Sequence, residues 1–136
     1  MIQIDDELFT IIATALRNEY GANNILVLGE YVNAPSKFPA VYIVEQDNYV
    51  NRMGRDNTTI ENFADVMYQV DIFSNKNKGK KAECKAIAAF VDAQFAALGF
   101  TRTFLNPVPN MDDGTIYRMT GRWVATVSKD HTIYRR

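Results

Sequence analysis

Cysteine, histidine and tryptophan occur once each in this chain of 136 residues. A lone Cys84 excludes an intramolecular disulfide. Together with His131 it cannot supply the three or four ligands of a common structural zinc site. Any Ser-His-Asp or Cys-His arrangement would have to use His131. That residue stands in the charged stretch Lys129-Asp-His-Thr132 and reads as a surface histidine. Cys84 falls on the apolar stripe of a predicted helix and reads as a buried structural thiol. Charge of one sign is also lacking. With 15 basic and 16 acidic residues the net charge is -1, so no global field points toward nucleic acid or membrane. No run approaches the roughly 20 apolar residues that cross a bilayer. The start, Met1-Ile-Gln-Ile-Asp-Asp-Glu7, is acidic where a signal peptide is basic. The expectation is a soluble chain made in the cytoplasm. No repeat or low-complexity tract is present.

What the sequence does contain is enough apolar material for a core. Apolar residues make up 47% and charged residues 23%, ordinary values for one globular domain spanning 1–136. Residues 5–20 predict a helix with Leu8, Ile12, Ala15 and Leu16 on one face, capped by Asp5 or Asp6 and ended by Gly21. Ile25–Val32 predicts a strand, and residues 33–39, with two prolines, a loop. Ala40–Glu45 predicts a strand covered on both faces, from its continuous run Val41-Tyr-Ile-Val44. Phe63–Phe73 alternates with period 2. Ala64, Val66, Tyr68, Val70 and Ile72 face one way, and Asp65, Gln69 and Asp71 the other. Ala82–Leu98 has Cys84, Ile87, Val91, Phe95 and Leu98 at helical spacing, with Gly99 as the stop. Phe100–Leu105 predicts a strand, residues 107–114 a turn, and Thr115–Ser128 a long strand carrying Tyr117, Met119, Trp123, Ala125 and Val127 on one face. Residues 129–136 form a polar tail or a short strand around Ile133 and Tyr134. The fold expected is α+β in the order α-β-β-β-α-β-β, a mostly antiparallel sheet with two helices on one face.

Chemistry-bearing patterns are weak. Asn110-Met-Asp-Asp-Gly114 has the look of a calcium-loop start, but the twelfth position, which should be Glu, is Gly121. Asp65 and Asp71 are six residues apart, roughly 20 Å along a strand, too far for a glycosidase pair. Gly79-Lys-Lys81 lacks the first glycine and the Ser or Thr of a phosphate-binding loop. No metal, cofactor or catalytic residue is expected.

Residues 63–128 carry an ordered set of features. Tyr68-Gln-Val-Asp-Ile-Phe73 precedes a polar Asn/Lys/Gly connection. An alanine-rich helix follows and ends in Leu98-Gly-Phe100. Then come Pro107-Val-Pro-Asn110, an acidic turn, and Ile116-Tyr-Arg-Met119 opening a long aromatic strand. This set resembles the tail terminator, or tail completion, proteins of long-tailed bacteriophages. The resemblance implies a virion protein of the tail and neck, assembled in the host cytoplasm. It implies a homo-oligomeric ring, usually of six copies, that caps the tail tube protein and offers a surface to the head connector. It implies no catalytic residue, no membrane and no sequence-specific nucleic acid. Other neck and completion proteins have similar patterning. A small ligand- or nucleic-acid-binding module and a carboxylate- or Cys84-dependent enzyme are the competing classes.

A ring needs two different patches on each subunit. One candidate is the segment 48–62, long, polar and centred on Gly54, with Arg52, Met53 and Arg55; it is expected to be mobile until a neighbour orders it. The other is Lys76, Lys78, Lys80 and Lys81, which lead into the second helix where the helix dipole disfavours cations. An acidic partner surface would account for that placement.

Overall fold

A computed structural model describes residues 1–30, 35–50, 62–109 and 114–134. The architecture is α+β: two helices cover one face of a six-stranded, mostly antiparallel sheet. The elements run α1 (Asp5–Tyr20), β1 (Leu26–Leu28), β2 (Ala40–Val50), β3 (Phe63–Ser74), α2 (Lys80–Ala97), β4 (Thr101–Val108), β5 (Tyr117–Ser128) and β6 (Ile133–Tyr134). The sheet order is β1-β2-β3-β5-β4, with β6 pairing the end of β5.

The alternation in β3 decides the layers. Ala64, Val66, Tyr68, Val70 and Ile72 are buried under the helices, together with Met119, Trp123, Ala125 and Val127 of β5. From above, α1 contributes Leu8, Ile12, Ala13 and Leu16, and α2 contributes Cys84, Ile87, Ala88, Val91 and Phe95. The first four residues of β2 are buried, as its unbroken apolar run predicts. Val41 and Ile43 join the main core, while Ala40 and Tyr42 form a second cluster with Phe73 on the opposite face.

Gly99 stops α2 by hydrogen-bond geometry. It takes φ 98°, its N–H donates to the Ala96 carbonyl (3.0 Å), and the Phe100 N–H donates to the Phe95 carbonyl (2.9 Å). The rings of Phe95 and Phe100 then meet edge to face at 5.2 Å. This pair of bonds with its apolar contact is the Schellman stop, and it explains the run Leu98-Gly-Phe100 by local physics.

Several boundaries differ from the sequence expectations. Neither Asp5 nor Asp6 caps α1. Ile4 occupies that position without a side-chain bond, and the three acidic residues fill the first turn, where the dipole favours them. β1 stops at Leu28, since the chain bends at Gly29-Glu30. It pairs parallel to β2, whereas neighbouring strands were expected to pair antiparallel. β2 continues to Val50 because a bulge between Glu45 and Asp47 absorbs one residue and restores the pairing with β3. The expected loop from Asn48 thus begins three residues too early. α2 starts at Lys80, earlier than Ala82. β4 extends through Pro107 to Val108, a proline the sheet tolerates because β4 is an edge strand. Within the tail, Ile133 and Tyr134 form β6.

Gly121 sits where a side chain has no room. A Cβ there would stand 2.5 Å from Trp123 Cη2 and 3.1 Å from Leu105 Cδ1. Gly121→Ala is therefore expected to lower stability by about 1–3 kcal/mol. In urea unfolding its midpoint should fall with the slope unchanged.

Candidate functional site

The lysine segment lies at one end of the sheet. Lys76 and Lys78 are exposed in the β3–α2 connection, and Lys80 and Lys81 stand in the first turn of α2. Lys80 is engaged: its Nζ donates to the Thr115 carbonyl at 3.1 Å. The helix start is also less cationic than the sequence suggests. Glu83 lies in the same turn and accepts a 2.6 Å bond from Ser74 Oγ. Lys76, Lys78 and Lys81 remain exposed.

Arg52, Met53 and Arg55 lie outside the described residues. Their segment joins Val50 to Asn62, at the end of β3 opposite the lysines. β3 has 12 residues, so the two ends are about 36 Å apart. The described residues flanking that segment, Val50 and Asn62, are thus far from the lysines. The turn around Asp112 and Asp113 is likewise outside the described residues, and among those described no group of three or more Cys, His, Asp or Glu could hold a metal ion.

The sequence reading passed over the helix-free face of the sheet. Asp71 is 3% exposed there, although no described helix covers it. Arg118 reaches its Oδ1 through Nη2 (2.9 Å) and Nε (3.1 Å), and Thr120 Oγ1 donates to the same oxygen at 2.5 Å. Arg118 also lies 5.5 Å above the Phe73 ring. Next to this group Arg122 donates to Gln69 Oε1 (3.1 Å) and lies 5.4 Å above Phe104. Asp65, 7% exposed, accepts from Thr126 Oγ1 at 2.6 Å. The face is thus paved by side chains lying flat and bonded to one another. The period-2 pattern placed these residues on one side, but pairing between strands far apart in sequence was needed to join Asp71 to Arg118 and Asp65 to Thr126.

Other titratable groups are tied into the fold. The Cys84 thiol is buried between the Ile72 and Tyr117 carbonyls. Burial first, and Glu83 second, push its pKa up to about 12. Tyr68 donates from its hydroxyl to Glu45 Oε2 at 3.0 Å. Burial, then the Glu45 and Asp5 carboxylates, hold its phenol well above the usual range. Asp5 is raised by burial and by Asp6. The ring of His131, at the surface as expected, has Nδ1 2.8 Å from Glu7 Oε1, because a turn bonded by Ser128 and Thr132 brings it back over α1. A cavity of about 530 Å³ opens between the start of α1 and the end of β1, lined by Asp5, Asp6, Phe9, Arg17 and Glu30.

No protein-family model matches this chain, and no curated protein matches it.

Two outcomes follow. Asp71→Ala leaves Arg118 without its carboxylate and is expected to destabilise by about 3–5 kcal/mol, read by calorimetry. For Cys84 the native thiol holds its proton more tightly than the unfolded one, whose ordinary value is 9.0. Its contribution to stability is complete below about pH 9 and is lost as pH rises toward 12. Compared with Cys84→Ala, the parent should lose more stability across that window. Native thiol labelling at pH 8 should be slow and should become fast on unfolding.

Proposed function

We propose that this chain is a structural protein of a tailed-phage particle. It forms a ring of six copies that caps the tail tube and offers the surface to which the head connector joins. The observation that carries the reading is the ordered resemblance over residues 63–128, which make up β3, α2, β4 and β5. That block includes the centre of the sheet and the helix packed on it, so the resemblance covers the framework of the domain. Closed rings are built from two unlike patches on each subunit. The lysine segment and the 51–61 connection leave the framework at opposite ends of β3, which suits unlike contacts. The role needs no catalytic group and no cofactor.

Electron microscopy of tails assembled with the chain tests the reading. Six copies at the tube end are expected; a single copy, or none, overturns it. The lysines supply a second measurement. Lys76→Glu, Lys78→Glu and Lys81→Glu combined should leave the fold intact, because all three side chains are exposed. Joining of tails to heads should fall, and the parent interaction should fade above about 0.15 M salt, where the Debye length is about 8 Å. Exposed ion pairs contribute about 0–1 kcal/mol each, so three replacements are combined.

A further inference from the structure

We infer that the groove between α2 and the outer edge of β4 binds an extended acidic segment of another protein, which joins the sheet as an added strand. The site belongs to the free chain and does not rest on the tail reading.

The sheet order gives β4 a partner, β5, on one side and no described strand on the other. Pro107 shows which backbone groups point outward. A proline has no N–H to give, so it stands where the ladder with β5 asks for none. Bonding direction alternates along a strand, so Leu105, two residues earlier, also turns its N–H and C=O outward. The bulge between Arg102 and Phe104 limits this stretch at one end, and Pro107 limits it at the other. What stays open is short: both groups of Leu105 and the carbonyl of Pro107. Such an edge accepts a segment of about five residues and resists the long pairing that leads to aggregation.

The groove runs beside this edge. It has a volume of about 500 Å³, and Ala88, Ala89, Leu105 and Met119 give it an apolar lining. Leu105 packs toward the core under the helices, so the residue opposite it in an added strand points the same way, into the groove. Alternate residues of the segment then meet α2. A helix laid in the groove would leave the Leu105 groups unused, because its own N–H groups are bonded within it.

Charge sets the sign of the partner. Arg102 meets Asp92 at one end of the groove, at 3.4 Å. Lys85, about two turns of α2 before Asp92 and so roughly 10 Å away, stands toward Pro107 at the other end. Asp92 is already engaged by Arg102 and by Trp123 Nε1. Lys85 is exposed, and no described carboxylate pairs with it or with Lys81 one turn earlier. Arg102 is 48% exposed and spends one nitrogen on Asp92, which leaves further donors for a second carboxylate. The groove thus has a cation at each end and apolar surface between. Its complement carries carboxylates two residues before and two residues after a small apolar residue, roughly 13 Å apart in a strand. Running antiparallel to β4, the segment brings its first carboxylate to Lys85 and its second to Arg102.

The peptide acetyl-Glu-Thr-Val-Thr-Glu-amide is the probe, titrated into the isotope-labelled chain and followed by NMR. The Leu105 and Ala89 amides should shift saturably below about 1 mM probe. The Leu105 amide should exchange fast in the free chain and slowly with the probe bound. N-methylation of the probe's valine removes a ladder bond and should weaken binding about threefold to tenfold. Lys85→Glu should weaken it several-fold, and replacing the first glutamate of the probe with lysine should restore it. Ala89→Glu puts a carboxylate in the groove and should weaken binding at least about tenfold. Ala93→Glu, the same change at an exposed position of α2 outside the groove, should leave it unaltered. Circular dichroism confirms that each variant is folded. Absence of a saturable shift overturns the inference, as does a methylated probe that binds as well as its parent. Equal losses in Ala89→Glu and Ala93→Glu overturn it too. A Leu105 amide protected without probe, and more so as the chain is concentrated, shows a second copy on this edge and also overturns it. Every measurement is made on the free chain, so six-fold rings on tails can be present or absent whatever the titration gives.

Discussion

The stack of Trp123 on Phe95 holds the two layers together. The rings lie 4.8 Å apart and within 9° of parallel, with the indole completely buried. Trp123 Nε1 donates to Asp92 Oδ1 at 3.0 Å, so the same side chain that fills the core also satisfies its polar atom on α2. Phe100 and Tyr68 close around Phe95, and Tyr68 passes its hydroxyl on to Glu45 of β2. Through this cluster the orientation of α2 is linked to β2, β3 and β5. The glycine at 121 follows from it, because the indole occupies the space its side chain would need.

Much of this was legible in the sequence because the patterns are local. The alternation of β3, the helical spacing in α2 and the glycine stops each depend on residues within one element. Boundaries failed where a non-local partner decides the outcome. Nothing in Leu26–Leu28 announces a parallel partner 14 residues further on, at Ala40–Tyr42. The apolar run of β2 ends at Val44 and polar residues follow, which made the strand look finished before Gln46. The bulge takes up that residue, and Asn48 then turns inward to bond the Ile2 carbonyl at 2.8 Å. Pro107 read as a turn because its neighbours gave no sign that the strand would lie at the edge.

The candidate surfaces were legible unevenly. A lysine run is visible in any sequence, but the engagement of Lys80 with Thr115 is not, since 35 residues separate them. The paved face lies further from reach. Asp65, Asp71, Arg118 and Arg122 are unremarkable charges until β3 and β5 are set side by side in register, with Asp71 opposite Thr120 and Gln69 opposite Arg122. Their message is carried by pairing across 47 to 61 residues of chain.

The placement of β3 has a mechanical consequence. It is flanked on both sides by antiparallel neighbours along nearly its whole length, from Phe63 opposite Ser128 to Ser74 opposite Tyr117. Tension applied between the two ends of this strand runs along its axis, while its ladder hydrogen bonds lie across that axis. The bonds then resist in shear, sharing the force together; they do not open one after another as in a zipper. A pull across the sheet would instead meet short seams at β1, held by three residue pairs, and at β6, held by two. The domain is therefore stiff along one direction and yielding across it.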